Sequence, residues 1–165
     1  MASVSKQRYP RRALHLIDIE NLADNPVPGL IDVLLVRYRY HKRVGFSAND
    51  QAIVGCNHLA FRHAGFSWPR ARYLVRSGKN GADLELLDVI RHENVAERFS
   101  HVVIASGDGI FAPEAAGLVA MGCHLTVASR RAALSKRLRL TAHRVIYLDA
   151  PDLRTVPATT PRRAA

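Results

Sequence analysis

A chain of 165 residues, 48% hydrophobic and 23% charged, has the length of one domain and enough apolar side chains for a packed core without staples. That composition excludes a disordered chain, and two cysteines exclude a disulfide framework; no apolar run approaches the ~18 residues of a membrane span and no signal-peptide pattern opens the chain, so a soluble cytoplasmic protein is expected. The net charge of +10 sits largely at the ends: residues 1–12 carry four basic groups and residues 154–165 three, with no acid in either, leaving 17 basic against 14 acidic residues between them.

Residues 1–12 read as a basic tail. Ala13–Ile19 is nearly continuous in hydrophobicity and reads as a buried first strand. Residues 28–43 place Leu30, Val33, Leu34 and Arg37 at helical spacing behind Pro28, which suits a first turn. A second strand follows at 51–56, a short helix at 57–65 ended by glycine, and a third strand at 71–75. A helix over 80–94, a strand at 101–105, a helix over 111–121 backed by Gly122, a strand at 124–128, a basic helix over 131–140 and a strand at 145–148 complete the alternation. Pro151, Pro157 and Pro161 mark a tail over 151–165. Cys56 and Cys123 lie in strand-like apolar runs and read as reduced core thiols. This order predicts one α/β domain over 13–150: a Rossmann-like three-layer sandwich with a mainly parallel central sheet of five to six strands. Ligands of such sheets lie at the carboxyl ends of the strands, near the topological switch point.

Three acidic motifs fall where a strand should end or a helix begin: Asp18-Ile19-Glu20-Asn21, Asn80-Gly81-Ala82-Asp83 and Ser106-Gly107-Asp108-Gly109. Carboxylates gathered at one sheet edge bind hard divalent cations, and such cations on a basic protein point to phosphodiester chemistry. Asp18 follows an apolar strand, where a buried carboxylate is costly unless paired, hydrogen-bonded or metal-bound; it sits too far inside that run for a helix cap to be expected. Glu20 would share its face if the strand continued, and Asn21 either orients a carboxylate, positions a phosphate or makes an Asx-turn. Asn80 with Asp83 also fits an ordinary helix start, yet Asp83, Leu87 and Ile90 share one stripe, which aims Asp83 at the sheet edge. Asp88 lies about 140° round that helix and would reach a metal only through water. Asp108 is flanked by small residues that permit close approach, although a Ser-Gly-Asp-Gly turn needs no active site.

Basic residues segregate from the acids. Arg37, Arg39, Lys42 and Arg43 interleave with Tyr38 and Tyr40; Arg76 and Lys79 fall in a second acid-free stretch, and Arg130, Arg131, Lys136, Arg137 and Arg139 in a third. Such runs, where interleaved with tyrosines, suit a phosphate backbone with stackable bases, and they equally suit solvated helix faces. There is no Walker A loop, no G-x-G-x-x-G after a strand, no zinc spacing among the eight histidines and no nucleophile apparatus around Ser106. An aspartate-nucleophile phosphatase would need an aspartate two residues after Asp18, where Glu20 stands.

Leu16-Ile17-Asp18-Ile19-Glu20-Asn21-Leu22, then Gly81-Ala82-Asp83-Leu84, then Val103-Ile104-Ala105-Ser106-Gly107-Asp108-Gly109-Ile110-Phe111 resemble the three signature blocks of the NYN domain, within the PIN-like nuclease superfamily, across roughly residues 13–148. The resemblance implies a PIN-like fold and a metal-dependent ribonuclease. By it Asp18, Asp83 and Asp108 would be Mg²⁺ or Mn²⁺ ligands, with Asn21 and Ser106 as polar supports. Superfamily members often present a fourth acid, and Asp88, or Glu20, would have to supply it. The alternative is a PIN-like module that holds RNA or a protein partner without cutting. A homodimer suits so small a domain, with an interface that the sequence does not reveal.

Overall fold

The computed structural model describes residues 12–150; the two tail expectations, apart from Arg12, lie outside the described residues. Six strands form one sheet, all neighbours parallel: β1 (Ala13–Asp18), β2 (Gln51–Cys56), β3 (Arg72–Val75), β4 (His101–Ala105), β5 (His124–Ser129) and β6 (Arg144–Tyr147), in the order β3-β2-β1-β4-β5-β6. The chain leaves β1 towards β2 and returns to its other side as β4, so the switch point lies between β1 and β4. All six residues of β1 are buried, which is why it reads as a continuous apolar run rather than an alternating one.

The helices are α1 (Ile19–Ala23), α2 (Leu30–Arg43), α3 (His58–Ala64), α4 (Gly81–His92), α5 (Val95–Arg98), α6 (Ala112–Ala120) and α7 (Lys136–Thr141), with a 3₁₀ turn at Gly109–Phe111. The sheet separates two cores. On one face α4, α6 and α7 contribute Leu86, Leu87, Ile90, Leu118 and Leu138; on the other α1, α2 and α3 contribute Ile19, Leu22, Val33, Tyr40 and Ala60. Cys123 belongs to the first core and Cys56 to the second, and both are free and buried. No helix among the described residues is long and apolar enough to cross a membrane.

Three expectations change. Asp18 does cap a helix: β1 stops there and α1 starts at once, its first turn closed by the Asp18 carboxylate accepting from Asn21 N at 3.2 Å. Five residues carry too little periodicity to betray such a helix, and α5, at four, escaped for the same reason. The basic helix expected over 131–140 is confined to α7. Residues ahead of it turn because Ser135 N donates to Gly107 O and the Ser135 hydroxyl accepts from Leu138 N, capping the helix there. Asn80 stands ahead of α4 in the left-handed conformation (φ 56°) and makes no side-chain cap.

Candidate metal centre

Everything at the switch point is tied to everything else by the ends of β1 and β4. Asp18, 3% exposed, accepts from Asn21 N through one oxygen and from the Ser106 hydroxyl, at 2.9 Å, through the other. The Ser106 oxygen in turn accepts from Asp108 N at 3.2 Å, and the Asn21 side-chain oxygen accepts from Gly107 N at 2.8 Å. Gly107 has to be glycine: a Cβ there would lie 2.4 Å from Ala133 O. Asp108 accepts from Ile110 N at 2.9 Å and so starts the 3₁₀ turn. From the end of β5, Arg130 donates to the Asn21 carbonyl at 3.2 and 3.3 Å and pairs with Asp24 at 2.8 Å, clamping α1 down.

Asp83 arrives from the other side. Gly55, at the end of β2, would place a Cβ 2.9 Å from Leu86 and 3.0 Å from Ala82 O, so its bare backbone is what lets the first turn of α4 settle against the sheet. Asp83 is half-buried and its Oδ1 is buried without a hydrogen-bond partner among the described residues. Burial pushes the Asp18 carboxyl well above its ordinary range, and the Asp83 charge pushes it further. Asp83 is likewise raised, by burial first and then by the charge of Asp108. With both ionised, the facing oxygens of Asp18 and Asp83 are acceptors with no donor between them; in the absence of a cation the pair relieves this by holding a proton.

Asp18, Asp83, Glu20 and Asn21 line one cleft of about 490 Å³ with Lys79 and Asn57. Glu20 carries a raised acid for the same first reason, burial, and its carboxylate accepts from Asn57 N at 2.5 Å. Asn57 was not foreseen; it follows β2 directly, at the same strand-end position that made the other motifs legible, and it also caps α3 and donates to Pro26 O.

A larger groove, about 760 Å³, opens at the opposite edge of the sheet where the strands begin. Asp50 is its one carboxylate, and Asp50 is already held by Ala13 N at 2.9 Å, Ser47 N at 2.7 Å and His15 at 3.4 Å. No acid there is free for a cation, which decides for the smaller cleft.

The remaining candidates disperse. Asp88 is exposed, 3.9 Å from both Arg91 and His92, and does not line the cleft; among the nearby acids it is Glu20 that does. Lys79 lines the cleft, and Arg76 stands just before it, 3.4 Å from Glu85. Arg130 points inward, its donors occupied as described. Arg131 lies over the Tyr147 ring at 4.2 Å, and Lys136, Arg137 and Arg139 are exposed on α7, which packs on the turn after Asp108. Arg37 lines a cavity with Trp68 and Asp50 where β2 begins, and Arg39, Lys42 and Arg43 continue α2 beyond it, Arg43 donating to Ala150 O; this run leads away from the carboxylates.

Among the described residues no three acidic, histidine or cysteine side chains converge closely enough to ligate one ion together. Two facing carboxylates with a buried oxygen left unpartnered nevertheless fit Mg²⁺ or Mn²⁺, since Mg²⁺ keeps much of its water shell and takes one or two carboxylates plus substrate phosphate oxygens.

No curated protein matches this chain. Among solved structures it is similar to that of VPA0982, a protein of unknown function from Vibrio parahaemolyticus RIMD 2210633, with a TM-score of 0.57 and 15% identity over 87% of this chain and 97% of that one. That likeness is one of fold, and it agrees with the six-stranded parallel sheet flanked by helices. The sequence profile of the NYN domain matches residues 16–149, spanning all three acidic motifs, and this chain belongs to the NYN domain family, which implies a PIN-like nuclease.

Proposed function

We propose that this protein is a divalent-metal-dependent ribonuclease that hydrolyses phosphodiester bonds of single-stranded RNA. The observation that carries the reading is the buried Asp83 oxygen, without a protein partner among the described residues, beside the buried Asp18: two adjoining carboxylates repel each other unless a proton or a cation lies between them. Asp18 and Asp83 would hold Mg²⁺ or Mn²⁺, with Asp108 adding negative charge alongside and Glu20, in place of Asp88, as the further acid. Such an ion, when bound, lowers the pKa of water and offsets charge on the phosphate.

The chain's own residues do the positioning. Ser106 and Asn21 N fix both oxygens of Asp18, and the Asn21 side chain fixes the backbone at Gly107, so that the ends of β1 and β4 keep their spacing while the substrate binds. Lys79 would meet the RNA phosphate at the cleft wall, with Arg76 beside it; α7 would extend the basic track past Asp108 through Lys136, Arg137 and Arg139. Attack by water leaves a 5′-phosphate and a 3′-hydroxyl.

The test is cleavage of an end-labelled single-stranded RNA by purified protein with Mn²⁺, with Mg²⁺ and with chelator. Metal-dependent products bearing 5′-phosphate support the reading. Intact RNA under all three conditions refutes it. The second reading, a module that holds RNA without cutting, is favoured by the lack of three converging ligands; RNA affinity retained in chelator with no cleavage would select it.

A further inference from the structure

Helix α2 is apolar on two opposite faces. Val33, Val36 and Tyr40 are buried against the sheet. Leu30, Ile31, Leu34, Leu35 and Tyr38 fall within an arc of about 140°, roughly opposite that buried face on the 3.6-residue period; His41 and Lys42 join the arc only in the last turn, Lys42 lying 5.7 Å over the Tyr38 ring. All five are exposed, Ile31 at 75% and Tyr38 at 61%, and Val27, three residues ahead of the helix, is exposed as well. A surface helix ordinarily has one apolar stripe, and one that is apolar on both sides has a second burial partner.

We infer that this outer face of α2 is the interface of a homodimer in which two α2 helices pack antiparallel about a two-fold axis. The stripe is self-complementary: an axis passing between Leu34 and Leu35 sets Ile31 against the partner's Tyr38, and the same contact recurs on the other side, as an isologous interface requires. Charge selects the antiparallel arrangement. The last turn of α2 carries His41, Lys42 and Arg43 and its first turn carries Asp32, so a parallel pair would stack the basic turns, whereas an antiparallel pair separates them and opposes the helix dipoles. Area also fits a second copy. Six large side chains at these exposures offer on the order of 600 Å² per protomer, at the upper end of the ordinary patch of a monomer, or roughly 1,200 Å² in all, at the lower end of a stable interface. The inference stands apart from the ribonuclease reading, since none of these residues holds the carboxylates.

Sedimentation of the full chain across roughly 1–100 µM tests it, a range that brackets a micromolar dimer. The expected result is a rise from 18.3 kDa towards twice that mass, with self-association at least tenfold weaker in Ile31→Asp and Tyr38→Asp and unchanged in Phe66→Asp, an exposed residue off α2. A second measurement does not depend on how the aspartate variants fold. Leu34→Cys should form an intermolecular disulfide across the axis under mild oxidation, Cys56 and Cys123 being buried and out of reach. A wild-type chain that stays monomeric throughout overturns the proposal, the stripe then being covered by something other than a second copy. So does a dimer that survives both aspartate variants, or one in which Leu34→Cys fails to cross-link.

Discussion

Replacing Asp18 with asparagine should strengthen the metal-free fold and abolish its response to divalent cations. Asp18 is buried beside Asp83, and burial first, the neighbouring charge second, raise its acid well above the ordinary 3.8. A carboxyl raised in the native state binds its proton more tightly folded than unfolded, so stability is lost as pH climbs from about 4 through the raised value. A neutral side chain at this position escapes that loss at every pH. Asparagine has no charge to desolvate, keeps an oxygen for Asn21 N and can donate towards Asp83, although its contact with Ser106 is remade less well. A net gain on the order of 2 kcal/mol is expected, the scale on which neutral groups replacing buried charges stabilise, or a Tm higher by roughly 4–8 °C for a domain of this size. Wild type should instead gain about 2.7 kcal/mol from Mn²⁺ at a hundred times its Kd, and the variant close to nothing. Thermal unfolding in chelator and in Mn²⁺, from pH 5 to 8, reads both effects. A variant that melts below wild type in chelator at pH 7–8, or that gains as much from Mn²⁺, refutes the reasoning.

Other consequences are as specific. His15 has its acid lowered to about 4 by burial; it donates towards Asp50 and accepts from Tyr40 at 2.7 Å. Its stabilising effect is complete above 6.5 and is lost as pH falls towards 4, by about 3 kcal/mol, so His15→Gln should flatten urea-unfolding stability across that window, and an unchanged pH slope would count against it. Gly55→Ala should cost about 1–3 kcal/mol by driving a methyl into Leu86 and the Ala82 carbonyl, seen as a lower urea midpoint; an unshifted midpoint contradicts the packing. Arg130→Ala releases α1 from β5 and should lower kcat for RNA about tenfold or more with little change in KM. Lys79→Ala should do the reverse, raising KM and reducing the salt slope of binding by about one phosphate contact, and a fall in kcat alone would place Lys79 elsewhere.

The alternation of apolar runs made the sheet legible because its central strands are buried on both faces, and β1, β2, β4 and β5 fall within a residue or so of where hydrophobicity places them. What escaped was short or set by distant partners. The helices α1 and α5, of five and four residues, have too few turns to show a period, and α1 gives Asp18 its capping role. The truncation of the basic helix depends on Ser135 bonding to Gly107 O, a contact between the segments that follow β4 and β5, which no local pattern encodes. At the cleft, Asp83 stands where its helical stripe aims it, whereas Glu20 has no fixed place in the sequence pattern, because a continuing strand and a helix turn put it in different places. Charge runs said least: Arg130 and Arg37 share a basic composition, yet one clamps α1 and the other lies where β2 begins.

The central claim is that Asp18 and Asp83 form a cation site, and a Mn²⁺ titration followed by electron paramagnetic resonance tests it most directly. Wild type and Asp88→Asn should each bind Mn²⁺ at this cleft, Asp18→Asn and Asp83→Asn should bind it at least tenfold more weakly, and Glu20→Gln should fall between. Equal binding by wild type and Asp83→Asn, or its loss in Asp88→Asn alone, would contradict the account.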